Sequence, residues 1–268
     1  MKYSIWDPTG NITALVESDI DKTQHPSVAA ALMERHPQVE QVGFVQFNRD
    51  DLQVCLQMAG GEFCGNAAMS AAALYLMRTN HTSEAPQSVL TGVSGALRPL
   101  QVILTERDKK MYSASLQTPW SASVDNRQFS FQGHSGPLPV VDLGGITQII
   151  IEPDSVFYEM LNNRSDAERA IGQWCRELSA PGLGFMFLKH SDDICCMTPL
   201  VYVPGAGTVF WENSCASGST AVCMYYTAEA GKAVKLVLKQ PGGVMRVQCN
   251  GPGENITLQG STRPLQFI

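Results

Sequence analysis

Apolar and polar positions alternate along this chain mostly with a period of two, the mark of half-buried strands rather than of surface helices. Strand-like runs are Asn11–Val16, Val42–Phe47, Leu52–Met58, Leu97–Leu104 and Met111–Leu116 in the first part. In the second part they are Pro139–Leu143, Gln148–Ile151, Gly184–Leu188, Thr208–Trp211, Val234–Leu238 and Val244–Cys249. Gly, Pro, Asn and Asp clusters bound many of them, as turns require. Four segments read as helices. Pro26–Arg35 has Pro in its first turn, Gly65–Met77 is Ala-rich, Ser165–Leu178 opens on the capping-box pattern Ser165-Asp166-Ala167-Glu168, and Ser217–Ala230 is the fourth. Strands with helices interspersed predict an α+β fold.

The helices form two pairs, one on each side of the Pro- and Gly-containing polar stretch 118–137. This places a boundary between an N-terminal half, 1–118 with 259–268 as an optional addition, and a C-terminal half, 119–258. Each half holds strands, a first helix, more strands, and a second helix entered through a cysteine. The repeated order predicts a duplicated, pseudo-symmetric fold, although residue identity between the halves is weak.

Composition narrows the function. Of 268 residues, 16% are charged and 44% hydrophobic, enough apolar surface to exclude a disordered or fibrous chain. The net charge of −6, without a Lys/Arg-rich run, argues against nucleic acid as a partner. The longest apolar run, Ala67–Met77, is too short to cross a bilayer, and the first eight residues lack the apolar core of an export signal. A soluble, cytoplasmic globular protein is expected. The eight cysteines contain no C-x2-C, and His25, His36, His81, His134 and His190 are scattered, so no metal site is expected. Most of the cysteines read as small buried hydrophobes, including Cys195, Cys196 and Cys223.

Cys64 and Cys215 differ in their neighbours. Met58-Ala59-Gly60-Gly61-Glu62-Phe63-Cys64-Gly65-Asn66-Ala67 and Trp211-Glu212-Asn213-Ser214-Cys215-Ala216-Ser217-Gly218 each run from a strand through a cysteine and small residues into a helix. The first turn of a helix has unpaired N–H groups and a positive dipole end, so it holds a carboxylate and is expected to lower a nearby thiol pKa into the range of roughly 3.5–7.5. Two such ends facing one another suit inversion of an α-amino acid. One thiolate takes the α-proton, the opposite thiol delivers a proton to the other face, and the N–H groups of both helix starts share the carboxylate. No electron-sink cofactor is needed. Glu62 and Glu212 either pair with the substrate ammonium or an imidazole N–H, or simply favour their helix N-termini electrostatically. Two activated thiols around one small ligand also predict sensitivity to oxidation.

At these residues the chain resembles the diaminopimelate-epimerase-like superfamily of pyridoxal-phosphate-independent racemases and epimerases. Cys64-Gly65-Asn66-Ala67 matches the first catalytic motif, Cys215-Ala216-Ser217-Gly218 the second, and Thr9-Gly10-Asn11-Ile12 resembles the N-terminal Gly-Asn turn. The resemblance implies that Cys64 and Cys215 are the acid/base pair, that the amides of Gly65, Asn66, Ala216 and Ser217 hold the α-carboxylate, and that Asn11 contacts substrate. It also implies that each half is a β-barrel or sheet around a central helix, with a last strand near Pro264–Ile268 crossing back to the first half.

Several positions depart from the diaminopimelate epimerase pattern. Val141-Asp142-Leu143-Gly144-Gly145-Ile146-Thr147-Gln148 stands where those enzymes have a Gly-Asn-Pro-His turn, no Arg follows Glu212, and Ala180–Gly184 and Met58–Gly61 lack the usual asparagines. These are groups that read the distal, charged end of diaminopimelate. The Gly-Gly-Glu-Phe-Cys-Gly-Asn-Ala wording is similar to the histidine racemases of the superfamily, including those feeding opine-type metallophore synthesis. Histidine is therefore the first expected substrate, with diaminopimelate or hydroxyproline epimerisation as alternatives and an amino-acid-binding protein as the non-enzymatic one. Homodimer formation is left open.

Overall fold

The computed structural model describes residues 1–80, 85–108, 110–118, 123–191 and 194–268. The N-terminal half begins with strands β1 (Tyr3–Pro8) and β2 (Thr13–Val16), helix α1 (His25–Arg35), and strands β3 (Gln41–Arg49) and β4 (Leu52–Met58). Helix α2 (Gly65–Arg78) and strands β5 (Gln87–Val93), β6 (Leu100–Asp108) and β7 (Met111–Thr118) complete it. The second half contains β8 (Val124–Phe131), β9 (His134–Asp142), β10 (Thr147–Ile151), α3 (Arg164–Leu178), β11 (Leu183–Ser191) and β12 (Ile194–Val203). It ends with β13 (Thr208–Trp211), α4 (Ala216–Ala230), β14 (Val234–Gln240), β15 (Gly243–Cys249) and β16 (Ile256–Phe267).

Connections repeat between the halves. Strands β2 and β3 pair in parallel across α1, and β4 and β5 across α2, just as β10 and β11 pair across α3, and β12 and β14 across α4. Strands β1 to β7 run in order, β16 pairs with β7 and returns to β1, and the ring closes around α2. Helix α4 packs against β8 to β11 and β14 to β16 in the same manner. Strand β16 is shared, since Ile256–Gln259 also pairs with Cys249–Arg246 of β15.

Burial explains which helices are central. Twelve residues of α2, Gly65 to Leu76, are buried, and its run of alanines lets the surrounding strands approach on every side. Helix α4 is likewise buried from Ala216 to Met224. Helix α3 instead buries only the stripe Ala167, Ala170, Ile171, Trp174 and Cys175 against the outer face of its sheet. The apolar core around α2 and α4 is continuous and includes both Cys64 and Cys215. No helix among the described residues is long and apolar enough to cross a membrane.

Pattern and structure differ in three places. The polar stretch 118–137 contains strand β8 and the start of β9; residues 119–122 lie outside those described, as does His81. Strand β8 lacks alternation because it lies at the end of the strand order and exposes Asp125 to Gln128. The capping box at Ser165 does not form. Helix α3 starts one residue earlier with Asn163 as N-cap, and Ser165 Oγ donates to Asn163 Oδ1 at 3.0 Å instead of capping an amide. Strands β1, β5 and β12 went unread: burial in β1 is near-continuous, while in β5 and β12 it alternates in part, but polar Thr91 is buried and apolar Leu90 half-buried in β5, and β12 buries Pro199, Leu200 and Val201 in succession.

Candidate active site

Cys64 and Cys215 are the N-caps of α2 and α4. Their backbones are nearly superimposable in angle, φ −134°, ψ 106° and φ −131°, ψ 111°. Each sulfur accepts from the amide three residues on, Ala67 N at 3.3 Å and Gly218 N at 3.4 Å, the hydrogen bond that a serine N-cap would accept. Both thiols are buried and face one cavity. Its walls include Phe63, Gly65 and Asn66 from one half and Ala216, Ser217 and Val201 from the other, with Gln41, Glu62 and Glu212. The four residues expected to present amides to a carboxylate are therefore together.

A second compartment of about 370 Å3 adjoins this cavity and shares Gln41, Glu62, Val201, Val203 and Glu212 with it. It adds Glu40, Ala29 and Met33 of α1, and Thr208 and Phe210 of β13.

Hydrogen bonds from the first half hold the segment leading into Cys215. Gln41 Nε2 donates to Glu212 Oε1 at 2.6 Å, the Asn213 amide donates to Glu40 Oε2 at 3.2 Å, and Asn66 Nδ2 donates to Ser214 O at 3.0 Å. Three consecutive residues are thus gripped across the junction. Within the second half, Gln240 Oε1 accepts from Cys215 N at 2.7 Å, and Gln148 Nε2 donates to Ser217 Oγ at 3.1 Å. Cys64 Sγ donates to Gln41 Oε1 at 2.6 Å.

Electrostatics depart from expectation. Burial pushes both thiols above their ordinary value, and the charges of Glu212 and Glu62 push Cys64 further while Glu212 does so for Cys215. The helix amides oppose this but do not outweigh it, so the expected depressed thiol pKa is corrected. Burial also raises the carboxyls: Glu40 to about 7, despite donors from Asn213 and Asn11, and Glu212 to about 8, with the charge of Glu40 contributing. Glu62 is raised by burial too. Glu62 Oε2 and Glu212 Oε2 are buried without a hydrogen-bond partner. Buried carboxyl oxygens left so are costly, and both line the cavity.

Asn11 is placed one layer back. It does not line either compartment; its Nδ2 donates to Glu40 Oε2 at 3.1 Å. Glu40 and Gln41 were missed from sequence. Their only signal is a polar pair at a strand start, which many strands carry for no functional reason.

Comparison with known proteins fits this geometry. The model of the histidine racemase CntK N-terminal domain family matches residues 1–262. The chain belongs to this family. A histidine racemase of Staphylococcus aureus (strain Mu50 / ATCC 700699) is 28% identical over 267 residues, covering 97% of this chain and 93% of its own length. A histidine racemase of Fusobacterium nucleatum subsp. nucleatum (strain ATCC 23726 / VPI 4351) is 32% identical over 243 residues, covering 88% and 85%. Among solved structures, a hydroxyproline epimerase from Agrobacterium vitis with bound trans-4-hydroxy-L-proline shares the fold, with a TM-score of 0.70, 12% identity, and coverage of 100% of this chain and 91% of that one.

Proposed function

We propose that the protein is a histidine racemase that inverts the α-carbon with two thiols, Cys64 and Cys215, and without an electron-sink cofactor. The observation that carries this reading is the pair of cysteine N-caps with matching backbone angles on one cavity. One sulfur, as thiolate, removes the α-proton; the other, as thiol, donates a proton to the opposite face, and their protonation states exchange with each inversion. Charge moving onto the substrate carboxylate is met by the amides of Gly65, Asn66, Ala216 and Ser217, in a site whose burial strengthens them. The substrate ammonium pairs with Glu62 or Glu212, whose free oxygens otherwise have no partner. A cation there also opposes the carboxyl charges that hold the thiols neutral.

All eight cysteines are free, which matches a reducing compartment and supports a cytoplasmic location. The test is incubation of L-histidine in D2O, with α-hydrogen exchange followed by NMR and enantiomers by chiral chromatography. Deuterated D-histidine is expected. Exchange of diaminopimelate or hydroxyproline but not histidine would overturn the assignment.

A further inference from the structure

The outer compartment has a feature that proton transfer at the α-carbon does not use. Its walls are mainly apolar (Val42, Ala59, Val203 and Phe210 among them), yet three carboxyls enter it: Glu40, Glu62 and Glu212. They are exposed by only 9%, 6% and 4%. No Lys, Arg or His is among the described residues lining it. Both oxygens of Glu40 already accept, from Asn11 Nδ2, Asn213 N and Asn213 Nδ2, so Glu40 acts on a ligand chiefly through its charge. Glu62 Oε2 and Glu212 Oε2 have no partner.

The substrate ammonium carries three N–H donors but one positive charge, so it can reach both unpartnered oxygens yet balances only one of the three carboxyls. Three buried carboxyls without a cation among their lining residues further favour a side chain that brings positive charge, because buried charge is tolerated when paired. We propose that Glu40 is a specificity-determining residue that, through its charge and together with Glu62 and Glu212, makes the outer compartment select an amino acid whose side chain is cationic. Histidine is then taken as the imidazolium, with both ring nitrogens protonated. The raised pKa values of Glu40 and Glu212 agree with this, since each carboxyl tends to keep a proton until a cation replaces it. A neutral side chain of the same shape, even one that keeps a ring N–H, leaves the remaining carboxyl charge unbalanced and is rejected on that ground.

This inference rests on the reading of the cavity as an amino-acid site, and the test separates the two. Calorimetric binding to the wild-type protein at neutral pH is compared for L-histidine and L-3-(1,2,4-triazol-3-yl)alanine, which keeps a ring N–H but stays uncharged. Interconversion of enantiomers releases no heat, so turnover does not distort the measurement. Histidine is expected to bind at least about tenfold tighter, a difference of about 1.4 kcal/mol. In Glu40→Gln the preference, read as the ratio of the two affinities so that loosening of the Asn213 segment cancels, should fall to about threefold or less. Equal affinities in the wild type, or equal weakening of both ligands in the variant, overturn the proposal. Should the variant not fold, L-2,4-diaminobutyrate against L-norvaline repeats the comparison on wild-type protein, with the cation expected to bind and equal binding overturning it. Preferential histidine binding without D2O exchange would support the inference while removing the racemase reading.

Discussion

Gly65 and Ala216, the first residues of α2 and α4, abut across the junction of the two halves: a Cβ built on Gly65 would stand 2.9 Å from the Cβ of Ala216. The glycine is required by space rather than by backbone angle. This contact brings two helix starts onto one cavity, so the amides of residues 65, 66, 216 and 217 border the same small volume.

Gly65→Ala should push the helix starts apart. Overpacking of this kind costs about 1–3 kcal/mol, and a displacement of about 1 Å in a catalytic constellation costs about 10²-fold in rate. Gly172→Ala, in mid-helix α3, is the control, since the added Cβ would meet only the flexible Arg176 Nη1 at 3.8 Å, and it should stabilise by about 0.5–1 kcal/mol. Steady-state kinetics and thermal melting check both. A Gly65→Ala enzyme with wild-type kcat would show that the abutment does not set the amide geometry.

Asn66→Ala removes the donor that reaches Ser214 O at 3.0 Å and Ser214 Oγ at 3.2 Å. Leaving a buried acceptor unsatisfied costs about 1–3 kcal/mol, so the midpoint of urea unfolding should fall. Because Ser214 precedes Cys215, KM should rise as well. An unchanged midpoint would show that this cross-junction bond is not stabilising.

Replacing either thiol tests the two-face arrangement. Cys64→Ser and Cys215→Ser should each lower racemisation by about 10²–10⁴-fold, since a serine hydroxyl is a much weaker acid. Each variant keeps one thiol, and so should exchange the α-hydrogen of only one enantiomer in D2O, a different one in each case. If both variants exchange the same enantiomer, the sulfurs do not serve opposite faces.

The raised carboxyls make stability depend on pH. Glu40 moves from 4.5 to about 7 and Glu212 from 4.5 to about 8, so between these values the folded chain binds more protons than the unfolded one. Their contribution to stability therefore falls as pH rises through 4.5 toward about 8, on the order of a few kcal/mol for the pair. Melting curves at pH 5.5, 7 and 8.5 (values chosen to span about this window) should show wild type losing more stability than Glu212→Gln. A wild-type-minus-variant difference that grows with pH would contradict this sign.

Local chemistry made much of the site legible. The motifs around Cys64 and Cys215 are short, and a small-residue helix entrance after a strand needs no distant partner to be recognised. The same locality let the four helices be read within a few residues, and their order disclosed the duplication. Where long-range contact decided, the sequence was silent or misleading. The Ser165 pattern suggested a capping box, yet Asn163 starts that helix; β8 has no alternation to read.

Sequence alone determined which thiols sit at helix entrances, because an N-cap depends on residues within one turn. It did not determine their protonation. Depressed pKa values follow from a helix dipole considered alone, whereas the folded chain buries both sulfurs and adds Glu62 and Glu212, and desolvation outweighs the dipole. Only the tertiary structure brought Glu40 and Gln41, about 170 residues earlier in the chain, onto Asn213 and Glu212. Such pairing depends on the closure of two halves, and no local pattern encodes that distance.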